Sequence, residues 1–277
     1  MALGTYVVEV DWNNDGVFTG TGETVTTRVL GMEWTRGRDI GNQLVGKALA
    51  GKAIITLNNE SGDYSPFNTS SPLTGLLLPN RKVRIRSTAP SVATLWTGFL
   101  DAIEPIPSRH DVRKAKLTAV GPLAVVNQKE IHVAMKTNVL TGTSVGDVLD
   151  DTDWPAADRT LDVGQTTMKR FLTDKVLGLT AIRSIEETEG GFVYESKDGK
   201  VVFEDRHHRL KSPHYTSQAT FSDAAAAARV YHGIRQLDSL PFIFNDLRAS
   251  VRVFTVGALA TLWTHPESGA SSPSIEI

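Results

Sequence analysis

Between Tyr6 and Val120, apolar residues recur at every second position in short runs separated by turn-forming residues. Alternation of this kind puts successive side chains on opposite faces of an extended chain, so each run reads as a half-buried strand. Six runs qualify: Tyr6 to Trp12, Thr24 to Trp34, Ala53 to Asn58, Arg81 to Arg86, Leu95 to Pro105 and Lys114 to Val120. The pattern is cleanest in Arg81 to Arg86, with Val83 and Ile85 inward and basic residues outward. Short strands with recurrent turns predict a small antiparallel β-barrel or sandwich over residues 1–122. Two long connections, Thr35 to Lys47 and Asn59 to Asn80, interrupt it, and connections of that length in a compact domain are usually functional or disordered.

After Gly121 the pattern changes to α+β, spanning residues 123–213. Pro122 to Asn127 reads as a short helix opened by proline in its first turn. Thr143 to Asp150 reads as a second helix, with Ser144 as cap and Asp147 three residues on, close to a capping box. Asp151 to Arg159 is a loop. In Gly178 to Arg209, Leu179, Ile182 and Ile185 form one helical face, and Gly190-Gly191 ends the helix. Phe192 to Tyr194 and Val201 to Glu204 then alternate around Asp198-Gly199, which predicts a hairpin with a type I′ turn. Residues 214–277 read as the start of a second β-barrel, with an alanine-rich helix candidate in Ser217 to Ala228 and a strand in Asn245 to Thr255. The chain closes on Ile275-Glu276-Ile277 at the opening of a further strand, which reads as an incomplete domain. The fold class is therefore mainly β with an α+β insert.

Charge and composition narrow the function. Lys and Arg number 29 against 31 Asp and Glu, so the chain has no basic excess of the kind nucleic-acid binding requires. With no cysteine there is no disulfide, thiolate chemistry or Cys-based zinc site. No signal peptide and no membrane-length apolar run are evident, which predicts a soluble product of a cytoplasm. None of the G-x-S-x-G, H-E-x-x-H, G-x-x-x-x-G-K-[ST] or G-x-G-x-x-G motifs occurs. Acids cluster at Glu186-Glu187 and around Asp150, Asp151 and Asp153, a pattern that suits a solvated helix face better than paired catalytic carboxylates. His207 and His208 are adjacent on a strand end, where neighbours point to opposite faces and rarely share a metal.

One motif carries chemistry. Asp11-Trp12-Asn13-Asn14-Asp15-Gly16 matches D-x-N-x-D-G, the opening of a calcium loop, with Asp11, Asn13 and Asp15 as oxygen donors. The twelfth position, however, is Gly22; Glu23 comes one residue late, and no helices flank the loop. A calcium site and a hairpin loop that uses Asn, Asp and Gly for turn chemistry both fit. No other cofactor is indicated.

Several stretches together resemble one family. They are DWNNDGVFTGTGETVT, Trp34-Thr35-Arg36-Gly37-Arg38-Asp39, LNNESGDYSPFNTSSPL, LWTGFLDAIEP, and the helix ending Glu187-Thr188-Glu189-Gly190-Gly191 before a hairpin and Phe203-Glu204-Asp205-Arg206. Residues 255–268, TVGALATLWTHPES, fit as well. The sequence is similar to minor tail or baseplate hub proteins of long-tailed bacteriophages. That resemblance implies tail-tube-like β-barrel domains and a virion protein of the tail tip, made in the host cytoplasm. It implies assembly as a homotrimeric ring, with the tail tube or a distal tail protein, the tape measure protein and other tail-tip proteins as partners. Its motifs are structural, so no enzymatic activity is implied. On this reading the two long connections make the intersubunit contacts, through Arg36, Arg38, Asp39, Tyr64 and Phe67. The alternative from another class is a carbohydrate-binding or carbohydrate-active β-protein that uses the calcium loop. A nucleic-acid channel lining rests on Arg81 to Arg86 alone.

Overall fold

A computed structural model describes residues 5–38, 47–89, 91–217 and 220–221. The predicted alanine-rich helix, the Asn245 to Thr255 strand, residues 255–268 and Asp39 lie outside the described residues, apart from the first few positions of the helix.

Six strands, β1 (Thr5–Val10), β2 (Val29–Arg38), β3 (Ala48–Asn58), β4 (Lys82–Ala89), β5 (Ala93–Ile106) and β6 (Lys114–Val120), form one sheet. Its order is β1-β4-β5-β6-β3-β2, and every pairing is antiparallel. The sheet curls into a half-barrel, and Tyr6 of β1 reaches across to Trp34 of β2, edge-to-face at 6.2 Å between ring centroids. The free side of β1 is taken up by the segment that leads into β2. Val10 N–H donates to Glu23 O at 2.8 Å, and Val25 N–H to Val8 O at 3.0 Å. Inward residues of all the strands fill the interior, including Val8, Val10, Ile55, Leu57, Val83, Ile85, Trp96, Leu100 and Leu117. The predicted barrel is thus a curled antiparallel sheet.

Three local expectations for the first 122 residues change. Thr24 to Trp34 is not one strand: Thr24 makes an isolated bridge to Glu9, Thr26–Arg28 is a 3-10 turn, and β2 starts at Val29. The break comes from Thr26, whose hydroxyl stands in for a backbone pair by accepting from Val8 N–H (3.0 Å) and donating to Val8 O (3.3 Å). β2 also continues through Arg38, which takes Thr35 to Arg38 from the predicted 35–47 loop, and β3 begins at Ala48 rather than Ala53.

A second core follows. Helices α1 (Pro122–Val126), α2 (Thr141–Asp151) and α3 (Gly178–Glu189) pack with strands β7 (Glu130–Leu140), β8 (Arg159–Leu161), β9 (Thr167–Leu177), β10 (Phe192–Glu195) and β11 (Val201–Glu204). β7 and β9 form a two-stranded ribbon, and β10-β11-β8 a three-stranded sheet in which β11 and β8 run parallel. Leu123, Val126, Ile131, Val145, Val148, Leu149, Ile182, Val193 and Phe203 lie in this core. Phe99 of β5 packs against it, edge-to-face on Trp154 at 5.6 Å.

The β7–β9 ribbon is not among the elements the sequence predicts. Helix α2 starts at Thr141 with Leu140 at its N-cap and no side-chain cap bond. Ser144 is therefore inside the helix, its hydroxyl on Leu140 O, and no capping box forms. In the hairpin only Gly199 takes positive φ (+78°), with Ser196 N–H on Lys200 O and Gly199 N–H on Ser196 O. That is not a type I′ turn, which needs two such residues. At the helix end the glycines do different work. Gly190 takes the left-handed conformation (φ +66°), whereas Gly191 lies where a Cβ would overlap Glu204 O.

Candidate functional site

Buried charge gathers in the Asp11 loop, on the β1–β4 ladder, at the face where the two cores meet and within the α+β part.

The Asp11 loop is built by β1. Asp11 is 1% exposed and its N–H donates to Lys82 O, which fixes it at the strand end. Its carboxylate receives the Asp15 and Gly16 N–H groups at 3.1 and 2.9 Å, and positive φ at Asn14 and Gly16 closes the turn. Asn13 is bonded to Asp15 in both directions: its Nδ2 donates to Asp15 Oδ2, and its Oδ1 accepts from Asp15 N–H. Trp12 turns inward, with Nε1–H on Gly22 O and its ring 6.3 Å from that of Tyr64. The structure brings one oxygen each of Asp11, Asp15 and Glu23 within 4.8 Å of one another. Glu23 joins because its own carbonyl is held by Val10 N–H, which sets it beside the start of the loop however the count along the chain falls.

The basic run is spent within the chain. Glu9 of β1 is opposite Arg84 of β4. It accepts from Arg84 Nε at 2.8 Å and from Arg86 Nη2 and Nε at 3.0 and 3.1 Å, and Arg84 also stacks 4.1 Å over the Phe18 ring. Burial pushes the Glu9 carboxyl up, but the Arg86 and Arg84 hydrogen bonds outweigh it and hold the group below its ordinary value.

Where the cores meet, Glu195 of β10 accepts from the Gly51 and Leu123 N–H groups. Burial raises its carboxyl above the ordinary range, against those two bonds and the positive charge of Arg36. Arg183 adds a bond to Ala48 O, and its Nη1 pairs with Glu186 at 2.6 Å.

The acids and histidines of the α+β part are likewise engaged. Glu189 takes the Thr141 hydroxyl (2.7 Å) and the Thr166 N–H (2.9 Å), and Glu186 accepts from Val193 N–H. Glu204 accepts from Tyr194 Oη at 2.6 Å; burial and that bond push the Tyr194 hydroxyl up to about 12. The backbone N–H groups of His207 and His208 both bond to Asp205, but their rings share no partner among the described residues. His208 Nδ1 meets Asp162 at 2.7 Å, and its Nε2 is 3.1 Å from His214 Nε2. Of the predicted interface residues, Phe67 is 97% exposed and Arg36 is exposed, while Tyr64 is only 6% exposed and belongs to the first core. Arg38 ends β2, its backbone paired with Ala48. Sequence reasoning discounted Glu23 and passed over Glu195 and Asp162. The only signal for Glu195 was its alternation with the buried Val193.

No protein-family model matches the sequence, and no curated protein matches it. Among solved structures the chain is similar to the 43 kDa tail protein of prophage MuSo2 from Shewanella oneidensis (12% identity, TM-score 0.48, 73% of this chain and 54% of that one). It is also similar to a tail protein from Neisseria meningitidis MC58 (8%, TM-score 0.47, 73% and 51%). A third is the type VI secretion component c3393 of E. coli (11%, TM-score 0.46, 72% and 48%), itself described as similar to the T4 tail proteins gp27 and gp5. The chain spans about half the length of these proteins. No described helix is long and apolar enough to cross a membrane.

Proposed function

We propose that the chain is a structural component of a phage tail tip or baseplate hub. Copies assemble as a homotrimeric ring that closes the tail tube and links it to receptor-binding or host-penetration parts. The observation that carries this reading is the convergence of four of the family-like stretches in one curled sheet. Trp12 of the first stretch packs on Tyr64 of the third, Thr97 and Leu100 of the fourth are buried in the same sheet, and Trp34 of the second packs on Tyr6 across it. The signature residues thus build the sheet. The likeness to tail proteins names the same class of assembly, but the reading rests on the stretches themselves.

A structural role also suits the buried acids, since Glu9, Glu186, Glu189, Glu195 and Glu204 are each tied to donors of their own chain. The contact between copies is assigned to Phe67 on the 59–80 connection and to Arg36, Arg38 and Asp39 at and beyond the end of β2, with Tyr64 supporting the loop from beneath. The tail tube or distal tail protein, the tape measure protein and other tail-tip proteins are the partners this role requires, in the virion. An obligate ring of this kind buries about 2,000 Å² or more per interface.

Mass photometry of the full chain, alone and with the tail-tube partner, tests the reading. The expected result is a trimer, and Phe67→Asp weakens association at least tenfold while its exposed position leaves thermal stability nearly unchanged. A monomer that persists with the partner present overturns the proposal.

A further inference from the structure

The geometry points to a hard divalent cation, of calcium size, bound by Asp11, Asp15 and Glu23. This site is independent of the assembly reading. Three carboxylate oxygens lie within 4.8 Å of one another, and among the described residues none of the three acids is in an ion pair with Lys or Arg. Arg84 and Arg86 of the basic run are committed to Glu9, and Arg81 Nε donates to Leu76 O. Like charges gathered this closely repel, and more strongly as water is excluded.

A second observation concerns Glu23 itself. It is 1% exposed; its Oε2 accepts from Gly20 N–H at 2.6 Å, while its Oε1 is shielded from solvent and has no hydrogen-bond partner. A buried carboxylate oxygen without a donor is costly, and a cation supplies what the chain does not. The backbone comes close to this group: a Cβ at residue 20 would lie 2.6 Å from Glu23 Oε1, so glycine there lets the carboxylate sit where it does.

The donors are all oxygen, which selects hard cations over zinc or copper. Asp15 is exposed and leaves one side of the site to water, which suits calcium, with its six to eight oxygen ligands in adaptable geometry, better than magnesium. The spacing departs from the helix-flanked calcium loop in one respect. The closing acid is the thirteenth residue, and the Val10–Glu23 backbone bond places it instead of a helix.

The test is calorimetric titration of the chelator-stripped full chain with calcium chloride and, separately, magnesium chloride, each with a thermal melt. The expected result is saturable binding of one calcium with a rise in Tm. Glu23→Gln weakens calcium binding at least tenfold, yet melts no lower than wild type without calcium because a repelling charge is gone. Asp15→Asn, at an exposed position, weakens binding similarly and guards against misfolding of the first variant. Absence of heat and of any Tm change at millimolar calcium or magnesium overturns the site. So does wild-type affinity in both variants, as does a Glu23→Gln protein that melts lower but binds as before, which would make Glu23 a brace for Gly20 only.

Discussion

Glu9 and Glu195 are equally shielded from solvent, 3% exposed each, in two different regions of the molecule. Glu9 sits on the ladder between β1 and β4, held by two guanidinium groups. Glu195 sits where the hairpin meets the barrel, held by two backbone N–H groups with one arginine charge nearby. Burial pushes both carboxyls up. On the ladder the arginine hydrogen bonds reverse the push, and at the meeting face burial prevails. Equal exposure does not fix the outcome: Glu195 is packed more deeply and has only backbone donors, and depth and partner together favour its neutral form.

That contrast can be broken most severely at Gly51. A Cβ there would overlap the Glu195 carboxylate and approach Thr35 O to 3.0 Å. Gly51→Ala is expected to destabilise by about 1–3 kcal/mol, as overpacking does, in a urea titration. A change within experimental error would mean that the Glu195 carboxylate moves aside at little cost.

The two glutamates should also give opposite pH profiles. Glu9 has a lowered folded-state value, so its stabilisation is present above its ordinary 4.5 and fades as pH falls through the lowered value. The advantage of wild type over Glu9→Gln should be about 1–3 kcal/mol at neutral pH, the size of a hydrogen bond to a charged group, and shrink with acid. Glu195 has a raised value, so its contribution is full below 4.5 and is lost as pH rises through the raised value. Wild type should therefore lose ground to Glu195→Gln as pH rises over that window, in melts of the two proteins side by side. Parallel profiles for both pairs would erase the distinction.

The smallest effect belongs away from both acids. Gly146 lies inside α2, where a Cβ meets nothing nearer than Leu161 Cδ1 at 3.8 Å. Gly146→Ala is expected to stabilise by up to about 1 kcal/mol through helix propensity, opposite in sign to Gly51→Ala.

What could be read from the sequence was what neighbours along the chain encode. Val83 and Ile85 alternate with arginines, and the structure buries both; Gly190 ends α3 in the left-handed conformation glycine allows. The β7–β9 ribbon is only weakly marked: Ile131, Val133 and Met135 alternate and the first two are buried, but beyond them much of the ribbon is open to solvent, with Met135 61% and Leu172 57% exposed, and the alternation stops. Counting along the loop put Glu23 one place late, while a backbone bond across the β1 edge brings it to the site. Glu9 with Arg86, and Glu195 with Gly51, pair over 77 and 144 residues, where spacing carries no signal.

The bond between Gly51 and Glu195 also has a bearing on how the chain reaches its shape. It joins residues 144 apart, so it closes a long loop before returning any benefit, and its two ends must first be presented by a formed β3 and a formed hairpin. Contacts of this span slow folding, and the barrel and hairpin must each be in place before the bond adds anything. Pulse-labelled hydrogen exchange should therefore protect the Ile54–Leu57 amides of the barrel strand before the Gly51 amide.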